Sequence, residues 1–259
     1  LLNLALIRLF LPGHRNRLRW DRSAATELIH FGKWILLSTL CGFAVSQADR
    51  VILGLYLDLE QFGLYHIGNF LASMPVLLGG AVMGRVVIPV YRDSPPAASP
   101  ANAARVRRLR AGALAVLLLM TSALALGGGW LVRALYDARY QEAAATVVLI
   151  AATQAPALLI LSCEHAALAM GDSRRYFRLT LARAILVTGA ILVGFEVAGL
   201  AGAIIGQGLA NLAAYPVLAW LLRPHGAWTP GLDAQFLGAA TLMGAVALWI
   251  NRSDIALIL

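Results

Sequence analysis

The chain has 259 residues, 60% of them hydrophobic and only 13% charged, with a mean hydropathy of +0.75. A soluble domain of this length buries one core under a charged shell and carries far more Lys, Glu and Asp, so the composition excludes one. The net charge of +8 comes from arginines dispersed among separate loops, without the interleaved aromatics of a nucleic-acid-binding face, so no nucleic-acid partner is expected.

Residues 1–11 read as the end of a preceding transmembrane helix and 12–27 as a cytoplasmic linker. Crossing a bilayer takes roughly 20 largely apolar residues. Such runs follow at 28–56, 61–91, 109–132, 143–170, 176–196, 199–222 and 233–250, and 255–259 looks like the start of another. The expected fold is all-α, a polytopic transmembrane helical bundle occupying 28–259. The chain begins without Met and stops in mid-helix at IALIL. It therefore reads as a fragment, and the absence of a signal peptide carries no information.

Orientation follows from the arginines. With a cytoplasmic start for 28–56, the segments 12–22, 92–110, 171–178 and 223–232 are cytoplasmic and hold thirteen Arg, against Arg133, Arg139 and Arg252 on the other side. That is a positive-inside bias, with some attraction to anionic inner-leaflet lipids. Twenty Arg against one Lys points to a GC-rich bacterial genome. Trp34, Trp130, Trp220, Trp228 and Trp249 fall near predicted helix ends and read as interfacial anchors.

The chemistry-bearing patterns are few. Cys41 and Cys163 lie inside predicted helices, so there is no disulfide framework and no metal-ligand spacing. No Gly-rich phosphate loop, HExxH, GxSxG or paired-carboxylate segment occurs, and no cofactor or metal is expected. The longest loop, SPPAASPANAA, reads as a flexible linker. The function is expected to be non-enzymatic and to reside in the membrane or at its faces.

The stretch from FGKWILL through MGRVVIPVY carries a recognisable order of short motifs. These are Phe31-Gly32, Asp49-Arg50 with Leu53-Gly54, Phe62-Gly63-Leu64-Tyr65 and Pro89. It resembles the polysaccharide transporter family, the O-antigen and exopolysaccharide flippases of the MOP superfamily. LAMGDSRRYFR and GLAGAIIGQGLANLAAYPVLAWLL are similar to later helices of that family. The one departure is an FG pair where LG-x-Y is usual. The resemblance implies two pseudo-symmetric helical bundles around a cavity that opens alternately to either side, this chain holding mainly the second. It implies a lipid-linked oligosaccharide cargo, typically on undecaprenyl diphosphate, a bacterial inner-membrane location, and membrane lipids and other polysaccharide-assembly proteins as partners.

Such a cargo needs cations for its phosphates and polar groups for its hydroxyls. Lys33, Arg50, Arg85 and Arg183 lie inside predicted helices. Lys33 and Arg183 follow cytoplasmic starts and lean toward the inner headgroups, as snorkelling requires. Arg50 lies eight residues before Asp58, roughly 12 Å below the outer end, and leans inward. Arg85 lies seven residues before Arg92, roughly 10 Å above the inner end, and leans toward the midplane. Both are candidate cavity-lining, substrate-binding residues, with Asp49 as a structural tether to Arg50 or to an adjacent helix.

Gln207, Asn211 and Tyr215 recur every four residues beside a Gly202, Gly206, Ala210 stripe. One stripe suits close packing, and the other suits either sugar recognition or interhelical polar bonding. Asn69 and Gln154 are weaker candidates of the same kind. Glu164 and Arg183 flank the GDSRR turn at matching depth, so they are expected to face each other or to share a polar cavity, with a coupling role open to Glu164. Two other functions stay open. A multidrug or ion antiporter would use Asp49, Glu164 or Glu196 as buried acids, and a membrane-embedded polymerase or ligase would need a larger outer loop than 133–142.

Overall fold

The computed structural model describes residues 21–256. Its helices are α1 (Arg22–Tyr56), α2 (Leu59–Ala72), α3 (Met74–Asp93), α4 (Pro100–Leu135), α5 (Gln141–Thr153), α6 (Ala155–Leu161), α7 (Ala166–Ala169), α8 (Ser173–Ala213), α9 (Tyr215–Leu222), α10 (Pro230–Ile250) and α11 (Arg252–Ile255). Among the described residues there is no strand, and five helices are long and apolar enough to cross a membrane. The molecule is an all-α polytopic bundle. The expected segment 1–11 and most of the expected linker lie outside the described residues.

Helix starts follow local chemistry. Asp21 accepts from the Ser23 and Ala24 amides, Asp58 from Gln61, Ser99 from Asn102 and Asp172 from Arg175. Each carboxylate or hydroxyl satisfies an amide that the first helical turn leaves unpaired. The Asp21 cap begins α1 at Arg22, six residues ahead of the expected start. The supposed flexible linker SPPAASPANAA is ordered: Pro96–Ala98 forms a 3-10 turn, Ser99 caps α4, and Asn102 Nδ2 donates to the Pro95 carbonyl at 3.2 Å. Serine followed by proline at the first helical position is a helix-start signal, and here it outweighs the Pro/Ala composition.

Three expected continuous helices are broken halfway. The breaks fall at Ser73, Gln154 and Ala214, each two residues before a proline (Pro75, Pro156 and Pro216). Proline lacks an amide hydrogen and its ring clashes with the preceding turn. The α5 break bends the chain by 52° into the following helical stretch. One break mends another: Gln154 Nε2 donates to the Ala72 carbonyl at 3.2 Å. Both groups lie in the bundle interior, where an unpaired carbonyl would find no water.

Helix α8 is two antiparallel arms, folded back at Ala198 and Gly199, whose φ of 57° favours glycine. The expected boundary between 176–196 and 199–222 falls at this turn. Glycine lets the arms meet. A Cβ on Gly202 would collide with the Gly194 carbonyl, and one on Gly206 with that of Ala190. The first arm also carries α1, which runs parallel to it from the Trp34–Phe177 ring contact to the Tyr56–Phe195 contact. Helix α1 buries only 6% of its most apolar window, and Leu28, Phe43 and Leu55 stand exposed, as lipid-facing side chains do. The main core packs Tyr91, Leu114, Leu158, Leu179, Leu218 and Leu222 between α3, α4, α6, α8 and α9.

The glycine seam is testable. Gly202→Val is expected to cost about 1–3 kcal/mol or more through overpacking and to lower both membrane yield and melting temperature. Gly189→Ala, where the new methyl meets nothing within 4 Å, is expected to leave both unchanged or slightly raised. Melting of detergent-solubilised protein distinguishes the two.

Candidate functional site

Helix α4 turns Val106, Arg110, Leu114 and Leu117 to the interior, so a guanidinium occupies a core position. Arg110 is 2% exposed and its partner Asp233 1%. Nε donates to Ser162 Oγ at 2.9 Å and NH1 to Thr229 Oγ1 at 2.6 Å, while NH2 lies 2.8 Å from Asp233 Oδ1. That last contact is ionic rather than a well-directed hydrogen bond. Tyr215 donates its hydroxyl to Asp233 Oδ2 at 2.9 Å and accepts from Trp228 Nε1 at 3.1 Å. The network joins α4, the α6–α7 turn, the 226–229 loop, α9 and α10.

This corrects the sequence reading in three ways. Arg110 is not a loop arginine of 92–110, because α4 starts at Pro100 and Arg110 lies roughly 15 Å along it. Trp228 serves the network rather than anchoring in the interface. Asp233 was missed altogether. The available signal was depth: Arg110 and Asp233 stand in the opening turns of two apolar helices that start from the same face.

The second network matches expectation. Arg183 NH1 lies 2.9 Å from Glu164 Oε2, and its Nε donates to Asn211 Oδ1 at 3.2 Å. Asn211 Nδ2 returns to the Gln207 carbonyl at 2.9 Å. Arg183 therefore bridges the two arms of α8 to the 162–165 turn and does not snorkel. The four-residue polar stripe is divided by the break at Ala214. Asn211 joins Arg183, Tyr215 joins Asp233, and the half-buried Gln207 side chain makes no hydrogen bond among the described residues. Asn211 and Tyr215 thus bond helices together.

Asp49 and Arg50 point apart. Asp49, 6% exposed, accepts from the Tyr65 hydroxyl at 2.6 Å and from Asn69 Nδ2 at 3.1 Å. It tethers α1 to α2, and not to Arg50. Arg50 is exposed and reaches only Gln47 Oε1 on its own helix, at 3.2 Å. Arg85 is exposed on α3 and makes no ion pair or hydrogen bond among the described residues. Glu196, expected among the buried acids, is exposed near the α8 turn. Lys33 is exposed with its ammonium 5.4 Å from the Trp34 ring. Of the site residues named from sequence, Glu164, Arg183 and Asn211 form one buried network, Tyr215 joins the Arg110–Asp233 pair, Asp49 is a buried tether, Gln207 makes no side-chain hydrogen bond among the described residues, and Arg50 and Arg85 face outward.

Leaving one member of a buried ion pair without the other costs about 3–5 kcal/mol, whereas an apolar pair of similar volume is often neutral or better. Arg110→Leu and Asp233→Leu are each expected to abolish stable accumulation in the membrane. The double substitution is expected to melt closer to the parent than either single. A double variant no better than the worse single would remove the pair as the cause.

Residues 2–145 match the family model of the polysaccharide biosynthesis proteins. No curated protein and no solved structure matches the chain. The match spans more than half of the sequence and takes in α1, α2, α3 and α4, with Asp49, Arg50, Arg85 and Arg110. Joined to the apolar helices above, it makes the chain a multi-pass membrane member of the polysaccharide biosynthesis protein family.

Proposed function

We propose that the chain is part of a flippase that moves a lipid-linked oligosaccharide from the cytoplasmic to the outer leaflet of the bacterial inner membrane by alternating access, without catalysing a reaction. The observation that carries this reading is the division of charges. The buried acids Asp49, Glu164 and Asp233 each have internal partners, whereas Arg50 and Arg85 stand outside the bundle core without a carboxylate among the described residues. Free cations beside occupied acids suit an anionic cargo. They also disfavour an antiporter of organic cations, which needs the opposite arrangement.

A polyprenyl diphosphate cannot carry its phosphates through hydrocarbon unaided. A guanidinium stays charged and can grip phosphate oxygens with two parallel donors. Arg50 would serve as the station nearer the outer side and Arg85 as its counterpart nearer the cytoplasm, so that neither conformational state traps the ligand. Asp49 keeps α1 seated on α2 beneath Arg50.

Complementation of a flippase-null strain with the full-length protein tests this. At unchanged membrane level, Arg50→Ala is expected to abolish surface polysaccharide, Arg50→Lys to restore only part of it, and Arg85→Ala to impair it. Asp49→Asn is expected mainly to lower protein level, because it weakens the acceptor for Tyr65. Normal export by Arg50→Ala would reject the cationic-station mechanism.

A further inference from the structure

A groove of about 1010 Å³ opens between the first turns of α1 and the GDSRR turn that starts α8. It is lined by Ser23, Thr26, Glu27, His30, Trp34 and Arg174, among others. Further along the first turns of α8, Arg175 and Arg178 lie 4.8 and 5.4 Å from the Trp220 ring. An arginine–tryptophan belt of this kind marks the headgroup level of a bilayer, on the face that the arginine bias assigns to the cytoplasm. Its volume reaches the top of the range for small-molecule sites, roughly 300–1,000 Å³, and is far more than one phosphate fills.

We propose that this groove is a loading site for the glycosyl diphosphate headgroup of the lipid-linked oligosaccharide before translocation, an inference that rests on the flippase reading. The phosphate end is supplied by Arg174. Its guanidinium carbon lies 5.7 Å from the Trp34 ring centroid, and among the described residues its side chain makes no ion pair or hydrogen bond that would occupy its donors. The adjacent carboxylate is already engaged, since Asp172 accepts from the Arg175 amide and lies 3.4 Å from Arg175 Nε.

The sugar end is supplied by α1. Ser23, Thr26, Glu27, His30 and Trp34 recur at three- and four-residue spacing and so share one face. They mix donors and acceptors. The Ser23 and Thr26 hydroxyls donate to Asp21 Oδ1 and the Arg22 carbonyl, leaving their lone pairs open, and a carboxylate at Glu27 can accept from two neighbouring sugar hydroxyls. Trp34 contributes its ring to the wall, since its indole N–H is closed off from solvent.

The test places the photo-crosslinker p-benzoylphenylalanine at Thr26 of the full-length protein, in cells assembling the polysaccharide. The expected adduct carries labelled glycan, and mild acid releases a polyprenyl diphosphate from it while the glycan stays on the protein, as a crosslink to the sugar of a glycosyl diphosphate requires. Arg174→Gln and Glu27→Ala, both at exposed positions, are expected to lower adduct and export at least several-fold at unchanged membrane level. Arg50→Ala is expected to keep the adduct while losing export, since loading precedes transfer. An adduct holding only an acid-stable phospholipid, an adduct to residues 1–20 of the same chain, or no adduct would each overturn the loading site. If deleting the gene leaves export intact, the flippase reading itself falls. If deletion abolishes export and the adduct lacks glycan, only the loading site falls.

Discussion

Arg110 holds its charge at a position where neither water nor lipid headgroups can solvate it. Three side chains meet its donors, namely Ser162, Thr229 and Asp233, and each comes from a different part of the chain. Tyr215 and Trp228 then fix the far oxygen of Asp233. Because a buried charge is tolerable only when its partners are in place together, the packing of α4, α9, α10 and the α6–α7 turn is conditional on one constellation. The apolar core around Leu114, Leu158 and Leu218 supplies area, but non-directional burial alone would tolerate several packings. The ionic network selects one.

A second pair works in the same way one layer away. Glu164, Arg183 and Asn211 tie the folded-back arms of α8 to the turn after α6, while the Gly194–Gly202 contact lets those arms close. With Asp49 committed to Tyr65 and Asn69, the deep carboxylates act as internal fasteners. Arg50 and Arg85, on outward faces and without a carboxylate partner among the described residues, are then cations left to meet something from outside. That asymmetry connects the packing of the bundle to the anionic character proposed for the cargo.

The broken helices belong to the same economy of polar groups. Each break leaves backbone groups at a helix end without their intrahelical partners, and in lipid such a group must find a protein partner. Gln154 supplies one across to Ala72. The breaks also let short segments such as α6 and α7 turn Ser162, Cys163 and Glu164 inward within one turn of chain, a concentration of polar groups that an unbroken helix would spread around its circumference.

The sequence by itself determined the all-helical class, the apolar spans, the turn at Gly199 and the depth match of Glu164 with Arg183. These follow from composition, run length and rise per residue, which are local quantities. The capping residues and prolines were also in view, and reading SPPAASPANAA by composition rather than by its Ser99-Pro100 start misplaced the beginning of α4 and hid Arg110. Which side of a helix faces inward was beyond local reading. Asp49 and Arg50 are neighbours in sequence, yet only the positions of Tyr65 and Asn69 decide that the acid is buried and the base exposed. Likewise Asn211 and Tyr215 share a four-residue spacing, but the break at Ala214 sends them to different ion pairs. A side chain's partner lies on another helix, and its identity exists only once the helices are packed.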